Sequence, residues 1–305
     1  MTDFYYLAYN LLIRSEAEFP ELPAVDFDSG IVPDVIIRFG ESPTFLPDSR
    51  ARYDDCFIVP NQCLLLLDDG PRIWVCNGSE MVVTCPTRCL DAAARLWLLD
   101  MCFGVLLHQR GVLPLHGSAI ETQRGVVAFV GSSGRGKSTL AMALHDRGYR
   151  LVADDICAVM LDEQRRPLAC PSYPRLKLWE EMLLHSGRDS QHLRRVRPDE
   201  AKYAVPMQQR FATQAMVLDT VYVLNVSDTE PLVLEPYAGA ARLAVLLNNT
   251  YRTHELQASG MAHHHFRLAS EVAQRIRVCR VTRPAAPFLL EDLVTLLEAD
   301  FAREN

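Results

Sequence analysis

The sequence predicts an α/β protein in which a smaller β-rich N-terminal domain, residues 1–88, precedes a larger α/β core, residues 89–305. Three observations predict this organisation. The first 88 residues contain short apolar segments separated by turn clusters, which is typical of strands and hairpins. A long apolar helical pattern at 91–110 follows them. An unbroken apolar run at 126–130 then leads into a glycine-rich loop and a second helical pattern, as in a buried strand that feeds a helix.

The N-terminal domain is predicted to consist of hairpins. Its turn clusters, at 68–71 and 77–79, are rich in Asp, Asn, Gly and Pro. The apolar segments that they separate are 35–37, 57–59, 64–67, 73–75 and 81–83. No nucleophile, base and orienting residue occur there at a recognisable spacing. The domain is therefore interpreted as a recognition module for a substrate or partner, or as a cover for the second domain.

The domain boundary is predicted just before the helix at 91–110. Asp91 is the N-capping residue of this helix, and Gly111 ends it. The segment 112–120 predicts a strand with a turn. Further strands are predicted at 151–153, 156–161, 217–226 and 278–281, and helices at 240–247, 270–276 and 289–301. The polar stretch 186–202 is interpreted as a mobile loop or an exposed helix.

The composition excludes several classes of protein. Hydrophobic residues make up 49% of the chain and charged residues 23%, which is the profile of a globular protein. A net charge of −7 gives no reason to expect a nucleic-acid partner or an anionic membrane. The longest apolar candidate for a membrane span, 96–107, is interrupted by Asp100 and Gly104, and the N-terminal stretch lacks a secretory pattern. We therefore expect a cytoplasmic protein without nucleic-acid or membrane partners.

Neither the cysteines nor the run of three histidines predicts a metal-binding site. The nine cysteines show no paired C-x-x-C spacing, so reduced thiols are expected, several of them buried. Three consecutive histidines, 263–265, cannot all face one ion on a helix or a strand, because neighbouring side chains diverge. We expect these histidines on the solvated surface.

The most specific motif is GSSGRGKS, residues 131–138, which fits the phosphate-loop pattern G-x-x-x-x-G-K-[ST] at every fixed position. Its glycines permit turns that aim backbone N–H groups at an anion, and the following helix adds the positive end of its dipole. Lys137 would reach the β- and γ-phosphates, and the Ser138 hydroxyl would coordinate Mg²⁺. The predicted nucleotide-binding residues are Gly131, Ser132, Ser133, Gly134, Arg135, Gly136, Lys137, Ser138 and Thr139.

Two further clusters flank the loop. His116 lies in LHGS, before the strand that feeds the loop, and Asp154 and Asp155 end the short strand after the loop helix. Acidic residues in that position resemble the carboxylate that completes Mg²⁺ coordination in phosphoryl-transfer enzymes. Taken singly, each cluster has a plain structural alternative: a buried histidine with a satisfied hydrogen bond, and a turn at a strand end.

Taken together, the blocks LPLHGSAI, GSSGRGKST and RGYRLVADD resemble the HPr serine kinase/phosphorylase family in order and interval. The close match covers residues 113–155. The segment PSYPRLKLW resembles the divergent HPr-kinase-related branch found beside biosynthetic gene clusters for modified peptides, including lasso peptides. The resemblance implies a P-loop kinase core similar to the nucleotide domain of phosphoenolpyruvate carboxykinase, and not to ordinary protein kinases.

The resemblance also implies roles for individual residues. The loop would bind the phosphates of ATP with Lys137 among the catalytic residues, and Ser138 with Asp154 would hold Mg²⁺. One aspartate of the pair, of which we favour Asp155, would accept the proton of the attacking hydroxyl, while the other lies on the metal side. His116 would lie beside the transferred phosphoryl group. Phosphoryl transfer depends on such positioning and charge neutralisation more than on covalent chemistry.

The chain departs from the family downstream of these blocks. The glutamate-bearing segment E-I-R-G-x-G-I-I-N is absent, so the resemblance implies neither the reverse phosphorylase reaction nor HPr as the substrate. Arg175 and Lys177 occupy the corresponding part of the chain, on one face of an extended segment. They are candidates for neutralising the γ-phosphate, and Lys202 is a weaker one. The alternative is that both lie on the outward face of an edge strand.

These observations predict an ATP- and Mg²⁺-dependent kinase that transfers the γ-phosphoryl group to a hydroxyl group. A serine of a peptide or protein is the expected acceptor, and a ribosomal peptide precursor is one example. The alternatives are a kinase of a small alcohol or sugar, and a nucleotide-gated binding or scaffold protein with little catalysis. The oligomeric state is left open: HPr kinases assemble as hexamers, so a homo-oligomer is one option.

Overall fold

The structure is a computed structural model that describes residues 3–26, 30–52, 56–67, 70–196, 200–287 and 289–303. The chain divides into two compact units. The first unit comprises Met1–Pro114 and Tyr251–Leu268, and the second comprises Leu115–Thr250 and Ala269–Asn305. Each unit is built on its own sheet, so the mixed α/β class predicted from the sequence is confirmed.

Strands predominate in the first third of the chain, and strands and helices mix in the remainder. The strands are β1 (Phe4–Ala8), β2 (Leu11–Ser15), β3 (Val35–Phe39), β4 (Arg50–Arg52), β5 (Cys56–Val59), β6 (Gln62–Leu66), β7 (Arg72–Cys76), β8 (Glu80–Thr84), β9 (Leu113–Thr122), β10 (Gly125–Val130), β11 (Arg150–Ala153), β12 (Ile156–Leu161), β13 (Pro167–Cys170), β14 (Arg175–Trp179), β15 (Arg194–Arg195), β16 (Lys202–Pro206), β17 (Met216–Ser227), β18 (Val233–Pro236) and β19 (Arg277–Pro284). The helices are α1 (Ala92–Trp97), α2 (Phe103–Gln109), α3 (Lys137–Asp146), α4 (Glu180–His185), α5 (Ala240–Asn248), α6 (Thr253–Ala258), α7 (Ala262–Arg275) and α8 (Leu290–Phe301). A π-helical turn, Leu98–Cys102, joins α1 to α2.

The sheet of the first unit has the strand order β1-β2-β3-β8-β7-β6-β5-β4. β3 pairs in parallel with both β2 and β8, and the other neighbours pair antiparallel. The five apolar segments predicted as strands correspond to β3, β5, β6, β7 and β8. The β-rich character predicted for this part of the chain is therefore confirmed.

β1 and β2 form a hairpin that was not predicted from the sequence. Tyr9 and Asn10 connect the two strands with φ values of 56° and 60°, the left-handed conformation that a two-residue hairpin turn requires. Such turns ordinarily contain glycine beside asparagine or aspartate. Because this turn begins with a tyrosine and contains neither glycine nor proline, a prediction based on those two residue types misses it.

The long helical segment belongs to the first unit, and this corrects the predicted boundary, which was placed before the helix. Gln109 accepts a hydrogen bond from the Gly78 N–H at 2.8 Å and donates one to the Val75 carbonyl at 3.3 Å. Arg110 donates to the Gly78 carbonyl at 2.9 Å. These bonds fasten the end of the helix to β7 and to the turn after it. The boundary therefore follows the helix, at Pro114.

The sheet of the second unit has the order β10-β9-β12-β13-β17-β19-β18, with β11 paired to β9. β10 also pairs with β17, so the path from β10 through β9, β12, β13 and β17 returns to β10. β10, β17 and β19 are parallel. Residues 126–130 of β10 are at most 1% exposed, as predicted for a strand buried on both faces. Sheets of this kind bind ligands beyond the carboxyl ends of parallel strands, which is where the glycine-rich loop begins.

A separate sheet of the second unit has the order β14-β16-β15. Leu176 and Leu178 of β14 are buried in one hydrophobic cluster with Leu140 of α3. Because side chains alternate along a strand, Lys177 and Trp179 lie on the opposite face of β14. The alternation predicted for this segment is thus present, and it leaves a lysine and a tryptophan to face away from the hydrophobic cluster.

The other predicted elements form with shifted bounds. The predicted helices at 240–247 and 289–301 are α5 and α8, and α7 begins at Ala262 rather than at residue 270. The polar stretch 186–202 contains β15 and the first residue of β16, while residues 197–199 of it lie outside the described ranges. None of the helices that the structure describes is long and apolar enough to cross a membrane.

The three consecutive histidines lie in α7. His263 and His264 are exposed, as predicted, whereas His265 is 5% exposed and its ring lies 5.7 Å from that of His108. The expectation of a wholly solvated run was wrong at His265, because a helix turns one of three successive residues inward. In the described ranges, no three His, Cys, Asp or Glu side chains are grouped so that they could hold a metal ion. The cysteines are free thiols and most are buried.

Candidate active site

The glycine-rich loop connects β10 to α3 in the second unit. Gly131, Gly134 and Gly136 have φ values of 134°, 80° and 95°, in the region that favours glycine. A Cβ atom on Gly131 would also lie 2.8 Å from the Leu224 carbonyl oxygen. Gly136 immediately precedes α3 and has no side chain to cap it. The first N–H groups of α3 are therefore available to an anion held in the loop.

Lys137 is the first residue of α3 and is 9% exposed. Its Nζ folds back over the loop and donates to the Gly131 carbonyl at 2.7 Å and to the Ser132 carbonyl at 3.3 Å. Burial lowers the pKa of the ammonium, and the nearby carboxylates Asp154 and Asp155 oppose that effect. The loop thus contains a positive charge that is already positioned by the backbone around it.

Asp154 is a buried acceptor for three donors. Its Oδ1 accepts hydrogen bonds from Ser118 Oγ at 2.6 Å and Ser138 Oγ at 2.8 Å. Its Oδ2 accepts the backbone N–H of Lys177 at 2.7 Å. Because an ionised carboxylate only accepts hydrogen bonds, Ser138 is the donor to Asp154. The lone pairs of the Ser138 hydroxyl oxygen therefore stay available to another partner. Ser118 lies two residues after His116 in β9, and it was not predicted as a site residue.

Asp155 has different side-chain partners from Asp154. It has a φ of 70°, so the chain turns sharply at the end of β11, as the strand-end alternative anticipated. Its Oδ2 accepts a hydrogen bond from Lys177 Nζ at 2.7 Å. The Nδ1 of His116 donates to the Asp155 carbonyl at 3.1 Å and lies 3.4 Å from Oδ1. The two aspartates therefore serve two different groups of side chains.

The electrostatics of the site define the protonation states at neutral pH. Burial acts to raise the pKa of Asp155, but the charge of Lys177, joined in acid by that of protonated His116, outweighs it and holds that pKa well below its usual range. Burial lowers the pKa of His116, and the charge of Asp155 only partly opposes this. Near pH 7 the carboxyl group of Asp155 is ionised and the imidazole of His116 is neutral, with its proton on Nδ1.

These groups line one cavity of about 440 Å³ in the second unit. The predicted residues that line it are His116, Ser133, Gly134, Gly136, Lys137, Ser138, Thr139, Asp154, Asp155 and Lys177. Gly131, Ser132 and Arg135 belong to the loop but do not line the cavity. The first two of these contribute the carbonyl groups that hold Lys137. The loop and both flanking clusters predicted from the sequence thus meet at one place.

Arg175 is not brought to this cavity, and the expectation that it faces a phosphate is corrected. Its Nη2 donates to the Tyr173 hydroxyl at 2.7 Å, and its guanidinium lies 4.9 Å from the centre of the same ring. The aromatic ring two residues earlier holds this side chain away from the cavity. Lys177 is 6% exposed and lines the cavity, so it does not lie on an outward strand face.

Several residues of the cavity were not predicted from the sequence as site residues. They are Trp179, Glu181, Met182, His185 and Arg283. Lys202, the weaker of the cationic candidates in the sequence, also lines the cavity. Arg283 reaches the cavity because β19 runs parallel to β17 and extends past the end of β10: Val130 aligns with Val223, and Val223 with Arg280. Pairing between strands that are distant in sequence brings these side chains to the cavity. No local sequence motif indicates that pairing.

The donor set at Ser138 and Asp154 fits a magnesium ion. Both residues offer oxygen atoms, which Mg²⁺ prefers, and the hydroxyl and the carboxylate are in direct contact at 2.8 Å. Proteins bind Mg²⁺ through one or two carboxylates together with water and substrate phosphates, so a larger cluster of protein ligands is not required. The predicted metal-binding residues are therefore compatible with the ion, with Asp154 holding the hydroxyl of Ser138 in place.

Comparison with known proteins gives limited information. No protein-family model matches the chain, and no curated protein matches it. Among solved structures, the chain is similar to the Hpr(Ser) kinase/phosphatase from Coxiella burnetii, at 13% identity and a TM-score of 0.35. The similarity covers 61% of this chain and 89% of the other. Both values are too low for this likeness to assign a fold family or an activity, so the resemblance to HPr kinases stays a prediction.

Proposed function

We propose that the chain is an ATP- and Mg²⁺-dependent phosphotransferase that moves the γ-phosphoryl group to a hydroxyl group, with a serine of a peptide or protein as the acceptor. One observation carries the proposal. Two adjacent carboxylates share one cavity with the glycine-rich loop, and each has a different partner: Asp154 holds the loop serine Ser138, and Asp155 is paired with Lys177. A protein that only bound a nucleotide would need the first carboxylate but not the second.

The donor half of the proposed site is the loop with the first turn of α3. Its N–H groups and Lys137 would bind the phosphates, and Ser138 with Asp154 would hold the metal ion. When bound, Mg²⁺ would neutralise charge on the phosphate oxygens. The contact between Ser138 and Asp154 supports this assignment, because it fixes the orientation of the hydroxyl before any ligand binds.

The acceptor half is Asp155 with its two neighbours. Its ionised carboxylate would accept a hydrogen bond, and then the proton, from the attacking hydroxyl group. A carboxylate of lowered pKa is a weak base, but in phosphoryl transfer the nucleophile needs orientation more than early deprotonation. Lys177 and His116 would restrain Asp155, since Lys177 donates to its carboxylate Oδ2 and His116 donates to its backbone carbonyl.

The acceptor itself is proposed from the sequence. The segment PSYPRLKLW, which contains β14, carries the likeness to kinases found beside peptide-modification genes. A serine hydroxyl on a peptide or protein is therefore the first acceptor to test, and a small alcohol or sugar is the second.

The proposal is tested with the full chain, Mg²⁺, ATP labelled in the γ-phosphate and a set of serine-containing peptides and small polyols. We expect acid-stable label on a serine-containing peptide. Lys137→Ala should abolish transfer, whereas Arg175→Ala, which removes a cation outside the cavity, should keep it. Label on a polyol and on no peptide would support phosphoryl transfer but would contradict serine as the acceptor. ATP binding without transfer to any acceptor, and without phosphate release in a single turnover, would contradict the proposal.

A further inference from the structure

The small sheet places one lysine over the active-site cavity in an unusual setting. Lys202 begins β16 and pairs in register with Trp179, the last residue of β14. Its Nζ lies 5.8 Å from the centre of the Trp179 ring. Both side chains line the cavity, and Trp179 is 41% exposed. The aromatic face of a partly exposed tryptophan thus holds an ammonium group in the lining of the cavity.

The other cations that line the cavity have oxygen partners. Lys137 donates to the Gly131 carbonyl, Lys177 donates to the Asp155 carboxylate, and Arg283 donates to the Pro284 carbonyl at 3.0 Å. In the part of the chain that the structure describes, no carboxylate forms an ion pair with Lys202, and the Trp179 ring is its partner. An ammonium group held by an aromatic ring keeps its capacity to bind an anion.

The charge of Lys202 reaches both halves of the proposed active site. It contributes to the lowered pKa of Asp155, and it also contributes to the lowered pKa of Lys137. Contributing to both pKa values requires the ammonium group of Lys202 to lie near both residues. Lys137 is the residue expected beside the β- and γ-phosphates, and Asp155 is expected beside the acceptor. The space between them is where the terminal phosphoryl group would lie.

We propose that Lys202 binds the terminal phosphoryl group of the bound nucleoside triphosphate, and that Trp179 is the positioning residue for its ammonium group. The inference rests on the proposed function and names one more catalytic residue for it. Lys202 reaches the cavity from the small sheet rather than from the glycine-rich loop. It would add a positive charge where negative charge is transferred, as a mobile or fixed arginine does in other phosphoryl-transfer sites.

Nucleotide binding tests this without knowledge of the acceptor. Dissociation constants are measured for ADP and for the β,γ-imido analogue of ATP, both with Mg²⁺, by titration calorimetry. For Lys202→Ala we expect about 10-fold weaker binding of the triphosphate analogue and an unchanged affinity for ADP, as for the loss of one charge-assisted contact. Arg194→Ala, which removes an exposed cation from the same sheet, should change neither. Lys202→Arg should recover most of the difference.

Trp179 gives the second arm of the test. Trp179→Phe keeps an aromatic face for the ammonium group and should bind the triphosphate analogue nearly as the wild type does, whereas Trp179→Ala should approach the affinity of Lys202→Ala. Equal weakening of ADP and the triphosphate analogue, or no change in either, would overturn the inference while leaving the phosphotransferase proposal intact. If the wild type binds neither nucleotide and Lys137→Ala behaves identically, it is the proposed function that fails.

Discussion

Lys177 Nζ lies 2.7 Å from Asp155 Oδ2, and the two side chains are only 7% and 17% exposed. Replacing Lys177 with Met would keep the aliphatic stem and leave Asp155 without its main counter-charge. We expect a loss of about 1–3 kcal/mol in the free energy of unfolding at pH 7, less than for a fully buried pair because the cavity admits water. Urea denaturation measures it. Arg166→Met, which breaks an exposed ion pair with Asp162, is the control and should cost far less.

The same pair predicts a pH dependence. Because the pKa of Asp155 is lower in the folded chain than in the unfolded one, the pair stabilises the fold fully above the ordinary carboxyl range. That contribution is lost as the pH falls below about 4. The stability difference between wild type and Lys177→Met should therefore be largest near neutral pH and should shrink in acid. A difference that grows as the pH falls would show that the charge pair is not its source.

Asp155→Asn is the sharpest test of the proposed acceptor side. The substitution preserves size and removes the charge, so nucleotide affinity should change little. The turnover number for phosphoryl transfer should fall by about 10²–10⁴-fold, the range for loss of a positioned general base. Steady-state kinetics with a peptide that the wild type phosphorylates measure both quantities. Asp162→Asn, which alters a carboxylate outside the cavity, is the control, and near wild-type turnover in Asp155→Asn would reject the assignment.

Ser118→Ala separates stability from metal binding at Asp154. Ser118 and Ser138 donate to the same carboxylate oxygen, but only Ser138 belongs to the glycine-rich loop. We expect Ser118→Ala to lose about 1–3 kcal/mol of stability, because a buried carboxylate loses a donor. Its Mg²⁺-dependent nucleotide affinity should persist, whereas Ser138→Ala should lose that dependence. Thermal denaturation and a magnesium titration of nucleotide binding distinguish the two, and identical behaviour of the two variants would contradict the division of roles.

His265 predicts a second pH effect, in the first unit. Burial lowers its pKa from 6.5 to about 4, and the nearby His108 acts in the same direction. The unfolded chain therefore takes up a proton at a higher pH than the folded chain does. Stability should fall as the pH drops from 6.5 towards 4, by up to about 3 kcal/mol for this residue. His265→Leu should flatten the denaturation profile over that range, and His263→Leu, at an exposed position of the same helix, should not.

Local sequence patterns were sufficient for much of the site. The loop, His116, the two aspartates and Lys177 come from short segments whose residue types indicate their chemistry. His116, the aspartates, Lys177 and the second half of the loop line one cavity. Arg175 shares a strand face with Lys177, yet its guanidinium packs on the ring of Tyr173, two residues earlier. Alternation along a strand predicts which face a side chain leaves from, but not where a long side chain ends.

The remaining residues depend on pairing between distant segments. Trp179 meets Lys202 because of the register between β14 and β16, and Arg283 reaches the cavity because β19 extends past its neighbours. Register across long separations is determined by the packed core rather than by neighbours in sequence. The predicted domain boundary was misplaced for a related reason: the sequence of an apolar helix between two domains does not indicate which sheet the helix packs against.

The two aspartates differ in what they connect, and this bears on how such a chain changes over evolutionary time. Asp154 ties together β9, α3 and the backbone of β14 through Ser118, Ser138 and the N–H of Lys177. Among the described residues, the carboxylate of Asp155 pairs with side chains alone, those of Lys177 and His116. A substitution at 154 would disturb three segments at once, whereas one at 155 would leave the nucleotide cradle assembled. Under the proposed function, a single substitution at 155 would therefore turn a phosphotransferase into a folded nucleotide-binding protein that no longer transfers phosphate.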